Sequence, residues 1–212
     1  MRKQTIESGI YLIIDPSMDE KILFPKLNLI VKENIAVIQV WDHFEQNQNI
    51  EELLLKIHET TSFYNTPLII NNRWELLKQI PLDGIHFDEI PENFNEIKKE
   101  INRDFIVGIT CNNEFSTIEY AEGHQFDYIS FCSMFPSKTA NSCELVNFET
   151  VQKAKSIYGG KIFLAGGIDL NNIKNLDELN YDGIAVVSGI MSAENPSETI
   201  KKYHQKIKKI KK

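Results

Sequence analysis

The sequence predicts a single (β/α)8 barrel spanning residues 1–212. Three observations carry this expectation. Eight short apolar runs are spread along the chain. Polar segments with helical periodicity lie between most of them. The last two runs each break at a glycine turn: Leu164-Ala165-Gly166-Gly167-Ile168 and Ile184-Ala185-Val186-Val187-Ser188-Gly189-Ile190. Strands alternating with helices imply right-handed parallel crossovers, and eight strands on that rhythm favour closure. An open sheet of six or seven strands is the alternative architecture.

The expected strands are, in order, Ile10–Ile14, Ile35–Val40, Leu68–Ile70, Gly84–Phe87, Phe105–Ile109, Tyr128–Phe131, Ile162–Ala165 and Gly183–Val187. Several are nearly continuous in apolar residues, as strands buried on both faces should be. Ile50–His58 and Val151–Ile157 are examples of the intervening helices. Ile200, Tyr203, Ile207 and Ile210 follow helical spacing within a tail that carries seven lysines from Lys201 onward. That pattern predicts a terminal amphipathic helix with a solvated lysine face. Asp83-Gly84-Ile85 and Asp182-Gly183-Ile184 are similar strand starts, an echo too short to prove internal duplication.

Bulk composition narrows the function classes. Hydrophobic residues make up 42% of the chain, enough for a substantial core. The net charge of −7 argues against non-specific nucleic-acid binding. No apolar run approaches the ~20 residues that span a bilayer, so no membrane partner is expected. Cys111, Cys132 and Cys143 show no metal spacing. With a polar segment from Met1 to Gly9, a cytoplasmic location is expected.

In a parallel barrel the chemistry sits at the C-terminal ends of the strands. Glycine turns there let the backbone approach a ligand and leave amide N–H groups free, which makes a nest for a phosphate after strands seven and eight. Gly166, Gly167, Val187, Ser188 and Gly189 are the expected phosphate-binding residues. The other strand ends offer Asp15; Gln39, Trp41 and His43; Asn71, Asn72 and Arg73; His86 and Asp88; Thr110; and Cys132 through Thr139. Read blandly, Arg73 forms a structural salt bridge, His86 packs at a barrel end, and Cys132 is a small buried thiol. His58, His124 and His204 are expected to be exposed.

Six stretches run in family order: Tyr11–Asp15, Pro67–Arg73, Asp83–His86, Phe135–Thr139, Ala165–Ile168 and Asp182–Ile190. This ordered set resembles the thiamine phosphate synthase/TenI family over nearly the whole chain. The tail from Ser192 through Tyr203 is similar to the TenI-like branch in particular. The resemblance implies a barrel acting late in thiamine synthesis, with a small phosphorylated heterocycle as ligand and a homo-oligomer left open. Synthases of the family join a pyrimidine methyl diphosphate to a thiazole phosphate. The diphosphate leaves first, so their site needs Mg²⁺ and several cations.

The carry-over is uneven. Gln39, Asn71, Thr110, Ser137 and Thr139 match family positions. The charged half does not. The family's strand-two Gln-x-Arg-x-Lys reads Gln39-Val40-Trp41-Asp42-His43 here. The loop lysine is Ala140 and a metal-binding aspartate is Asn72, which leaves Asp88 as the substitute ligand if the chain is a synthase. Losing one transition-state donor costs on the order of 3 kcal/mol. TenI-like relatives bind thiazole phosphates and act as tautomerases, which needs a phosphate cup and a general acid/base but no metal. Their histidine is Asn112 here.

The expectations are therefore as follows. His43, Asn71 and Thr110 are the catalytic candidates, with His86 as a second choice of base. Gln39, Trp41, Asn72, Ser137 and Thr139 bind substrate. No cofactor is expected for a tautomerase; Mg²⁺ is expected for a synthase. The favoured function is a TenI-like thiazole-phosphate protein with a degenerate diphosphate half. A divergent thiamine phosphate synthase and a non-catalytic binder or regulator are the alternatives.

Overall fold

Eight parallel strands close on themselves in chain order in a computed structural model, which describes residues 4–136 and 144–210. They are β1 (Gly9–Ile14), β2 (Ile35–Val40), β3 (Leu68–Asn71), β4 (Gly84–Phe87), β5 (Ile106–Cys111), β6 (Tyr128–Phe131), β7 (Lys161–Leu164) and β8 (Gly183–Val186). β1 pairs with β8 as well as β2, so no sheet edge is left open. The expected (β/α)8 barrel is the observed architecture, and the strand bounds agree to within one or two residues.

The outer layer comprises α1 (Glu20–Ile30), α2 (Ile50–Phe63), α3 (Phe94–Ile101), α4 (Phe115–Gly123), α5 (Phe148–Ile157), the single turn α6 (Ser188–Met191) and α7 (Pro196–Ile210). Short 3-10 turns at Trp74–Lys78 and Ile173–Leu176 replace the helices after β3 and β7. Local chemistry sets the starts. The Asp19 carboxylate accepts from the Lys21 amide to begin α1, and the Asn49 side chain accepts from the Glu52 amide to begin α2. In α7 the apolar stripe Ile200, Tyr203 and Ile207 is buried, as its spacing predicts.

Two apolar layers result. The larger one lies between the strands and the helices. The smaller fills the barrel itself with Tyr11, Val37, Ile69, Ile106, Tyr128 and Phe163. Tyr11, Tyr128 and Phe163 meet edge to face, with centroids 5.4–5.6 Å apart, a favoured aromatic geometry. Gly108 makes room for this trio, because a Cβ there would fall inside the Tyr128 ring.

The aspartate echo has a structural cause at the N-terminal face. Asp83 takes the Leu68 amide on its carboxylate, donates its own amide to the Leu68 carbonyl, and accepts from the Ile106 amide. Asp182 does the same for Ile162 and Gly9. Asp127 repeats the pattern with Val107 and Lys161. Each aspartate thus ties the strand before its own to the strand after. This is a closure device on the face that carries stability, opposite the face that carries chemistry.

Candidate functional site

Because strand side chains alternate, every second residue near the C-terminal ends points inward. These positions converge on one cavity of about 200 Å³. Tyr11 and Ile13 enter from β1; Gln39 and Trp41 from β2; Asn71 from β3; His86 and Asp88 from β4. Thr110, Ser130 and Cys132 follow from β5 and β6. The wall is completed by Ala165, Gly166 and Gly167 after β7 and by Ala185, Val187 and Ser188 after β8. The two glycine-bearing rims therefore face the same space.

The rim after β7 needs glycine on steric grounds. Gly166 and Gly167 have φ of +85° and +66°, the left-handed region that other residues reach only under strain. A Cβ on Gly167 would lie 2.6 Å from the Phe135 carbonyl oxygen, and one on Gly166 would collide with the Ser133 backbone. Among the described residues, no backbone carbonyl takes the amides of Gly166, Gly167, Ser188 or Gly189. Gly189 itself does not line the cavity. It allows close packing instead, since a Cβ there would lie 2.6 Å from the Tyr203 hydroxyl.

A second group of side chains holds one carboxylate at the mouth. Asp88 accepts from Asn71 Nδ2 at 3.0 Å and from Asn72 Nδ2 at 2.8 Å. Its own amide donates to Asn72 Oδ1 at 3.0 Å. Asn72 reaches this position with φ of +57°, a conformation that asparagine tolerates. Asn71 is fully buried, also donates to the His86 carbonyl, and accepts from the Asp42 amide at 3.4 Å. Both asparagines organise the mouth around Asp88. Among the described residues lining the cavity, Asp88 is the one formally charged side chain, and there is no lysine or arginine.

His86 is 5% exposed. Burial pushes its imidazole down to about 4, against the opposing pull of the Asp88 charge, so the ring is neutral near pH 7. Its Nδ1 lies 2.8 Å from the Tyr128 hydroxyl and its Nε2 lies 2.9 Å from Thr110 Oγ1. Tyr128 in turn lies 2.9 Å from the Tyr11 hydroxyl, which donates to Gln39 Oε1.

His43 stands elsewhere. Its side chain is 60% exposed at the rim, with Nδ1 3.2 Å from Asp15 Oδ1, and it lines no part of the cavity. Burial alone would push the Asp15 carboxyl up. Hydrogen bonds from the Ser17 hydroxyl and amide, with the His43 ring, outweigh that and hold it below the usual carboxylate range. Trp41 bridges the two places: it lines the cavity, and its ring centroid lies 5.1 Å from that of His43. Arg73 pairs with the Asp42 carboxylate and lies over the Phe44 ring, the structural role expected of it. Cys132 is half-buried in the lining. His58, His124 and His204 are half-buried rather than exposed; His124, for example, stacks on Tyr120 at 3.9 Å. Ser137 and Thr139 lie outside the described residues.

Sequence reasoning passed over Tyr11, Tyr128 and Ser130. A signal was available: each is a polar residue at an inward-facing position of an otherwise apolar strand. The donor set for a metal is thin. Among the described residues no three His, Cys, Asp or Glu side chains come together. Mg²⁺ demands near-octahedral oxygen ligands, and both Asp88 oxygens already accept from amides. These residues do not by themselves fit the ion. No described helix is long and apolar enough to cross a membrane.

The chain is 29% identical over 199 residues to a thiamine-phosphate synthase of Clostridioides difficile, covering 93% of this chain and 94% of that one. It is 27% identical over 191 residues to one from Methanobrevibacter smithii, covering 90% and 91%. The fold matches a thiamine phosphate pyrophosphorylase from Pyrococcus furiosus with a TM-score of 0.82, over 97% of this chain and 98% of that one. At 18% identity that likeness speaks for the fold alone. The pattern of the thiamine monophosphate synthase family matches residues 10–190, from the first strand to the turn that carries Ser188 and Gly189. On that span the chain belongs to the thiamine monophosphate synthase family, as a barrel of thiamine biosynthesis.

Proposed function

We propose that this barrel binds a thiazole phosphate and moves a proton on the bound ring, the tautomerase type of reaction. One observation carries the reading. Both glycine rims open into a single small cavity whose remaining polar groups are a neutral imidazole, hydroxyls, a thiol, amides and one carboxylate. A phosphate dianion suits amide N–H groups that have no other acceptor. Ile13, Trp41, Ala165 and Ala185 offer an apolar wall to a heteroaromatic ring. A proton shift needs an acceptor and a donor about 3 Å from the ring, and it needs no concentration of positive charge.

Departure of a diphosphate makes the opposite demand. The charge that develops must be met by cations or a metal. Trp41 and His43 stand where the family carries arginine and lysine, and the described lining holds neither residue. The divergent-synthase reading is supported by the names of the relatives and by Asp88 at the cavity mouth. Mg²⁺, where it binds, supplies charge neutralisation on a diphosphate. Asp88 would have to release Asn71 and Asn72 to take part.

Two assays separate these readings. The tautomerase reading predicts metal-independent aromatisation of thiazole carboxylate phosphate. The synthase reading predicts Mg²⁺-dependent pyrophosphate release from the pyrimidine diphosphate and thiazole phosphate. Binding of thiazole phosphate with turnover in neither assay would leave a carrier or regulator.

A further inference from the structure

A chain of five side chains crosses the barrel from β2 to β5. Gln39 meets Tyr11, Tyr11 meets Tyr128 at 2.9 Å, Tyr128 meets His86 at 2.8 Å, and His86 meets Thr110 at 2.9 Å. Four of the five are buried, and Thr110, Gln39 and His86 reach the cavity. Donor and acceptor capacity, followed along the chain from Gln39 Oε1, assigns each proton.

Gln39 Oε1 can only accept, so the Tyr11 hydroxyl donates to it. Tyr11 has no second proton, so its oxygen accepts from the Tyr128 hydroxyl. Tyr128 has then used its proton, so its oxygen accepts from His86 Nδ1–H. Burial drives both phenols well above their ordinary range, so neither gives up its proton. A neutral imidazole with hydrogen on Nδ1 leaves a lone pair on Nε2. Thr110 Oγ1–H donates to that lone pair. Among the described residues, Tyr11, Tyr128, Thr110 and Asp88 bear on the ring.

Building on the proton-shift reading above, we propose that Thr110 is the catalytic hydroxyl, that His86 is the base behind it, and that Gln39 fixes the tautomer of His86 through Tyr11 and Tyr128. In the forward step Thr110 Oγ1 takes a proton from the substrate as it passes its own to His86 Nε2. One O–H bond forms and one substrate bond to hydrogen breaks, while the Thr110 O–H bond breaks and an Nε2–H bond forms. The return step delivers a proton to a second atom of the same ring. The net change is a shift within the substrate, and no co-reactant is needed. The imidazolium formed between the two steps keeps Tyr128 as acceptor and has the Asp88 carboxylate nearby.

The polarity of the chain depends on its far end. If Gln39 becomes methionine, Tyr11 is free to donate to Tyr128 and Tyr128 to Nδ1. The imidazole hydrogen then moves to Nε2 and the base is lost. Nitrogen-15 NMR of the His86 ring in the full chain reads this directly. The wild type should show hydrogen on Nδ1, and Gln39→Met and Tyr128→Phe should each shift it toward Nε2. Hydrogen on Nε2 in the wild type, or an unmoved tautomer in both variants, overturns the relay.

The catalytic part has its own readout. Thr110→Val should lower kcat for metal-free aromatisation by about 100-fold or more, with thiazole phosphate affinity within threefold, and Thr110→Ser should recover most of the loss. A Thr110→Val rate within threefold of wild type overturns the role of the hydroxyl. If the wild type binds no thiazole phosphate, the functional reading and the catalytic step fall together. The NMR result then decides the relay on its own.

Discussion

Gly108→Ala places a methyl group where the Tyr128 ring now lies. The added Cβ would sit well inside 3.0 Å of three ring atoms, a separation that real Cβ atoms essentially never show. To regain ordinary contact the ring must retreat by about 1.5 Å. Its neighbours leave little room, because Tyr11 and Phe163 meet it edge to face at 5.6 Å. Overpacking of this kind costs about 1–3 kcal/mol. The same displacement stretches the 2.9 Å and 2.8 Å hydrogen bonds to Tyr11 and His86 beyond bonding range. Each buried group left unpaired costs about 1–3 kcal/mol. A total loss of about 3–9 kcal/mol follows, a large share of the ~5–15 kcal/mol that holds a typical domain together. Urea denaturation followed by far-UV circular dichroism measures it. In a Tyr128→Phe background the hydrogen bonds are already gone, so Gly108→Ala should cost only its packing part there. A Gly108→Ala chain within about 0.5 kcal/mol of wild type would refute the packing argument for the barrel interior.

Three further outcomes can be checked. His86 has its pKa depressed to about 4 from the ordinary 6.5. Between those values the unfolded chain binds the extra proton, so stability rises with pH across that window by about 3 kcal/mol. Denaturation midpoints from pH 4 to 7 should show the rise, and His86→Gln should flatten it; identical curves would remove the burial argument. Gly166→Ala forces a side chain into left-handed backbone against Ser133, so thiazole phosphate affinity by calorimetry should fall at least tenfold, and an unchanged affinity would place the phosphate elsewhere. His43→Ala should leave binding and the aromatisation rate within about threefold, because the ring faces Asp15 at the rim; a loss of 100-fold would return the base to His43.

Much of the fold was legible because burial on both strand faces writes itself as apolar runs. Ile35–Val40, Gly84–Phe87 and Tyr128–Phe131 could be bounded to the residue from their apolar runs. The turns at Trp74–Lys78 and Ile173–Leu176 were less legible, since short 3-10 segments leave no 3.6-residue period. The glycine rim after β7 was legible for a different reason: only glycine satisfies both the positive φ and the close backbone approach at Gly166 and Gly167. His43 shows where strand-end reading stops. It shares the parity of Gln39 and Trp41, but it lies past the end of β2, where the strand alternation no longer holds, and its contact with Asp15 keeps it at the rim; neither effect is audible in the local sequence. The Tyr11, Tyr128 and His86 network is a pairing between β1, β6 and β4. Such contacts depend on barrel closure, so no window of sequence contains them. The aspartates at 83, 127 and 182 are an intermediate case, visible as an echo yet explained only once alternate strands are seen to share them.

The claim on which the account rests is that backbone amides from the β7 and β8 rims hold a phosphate. Calorimetric titration with thiazole phosphate and with the matching thiazole alcohol isolates that group. Two charge-assisted hydrogen bonds contribute about 3–6 kcal/mol together, so the phosphate should bind at least 100-fold more tightly. Equal affinity for the two compounds would contradict the site.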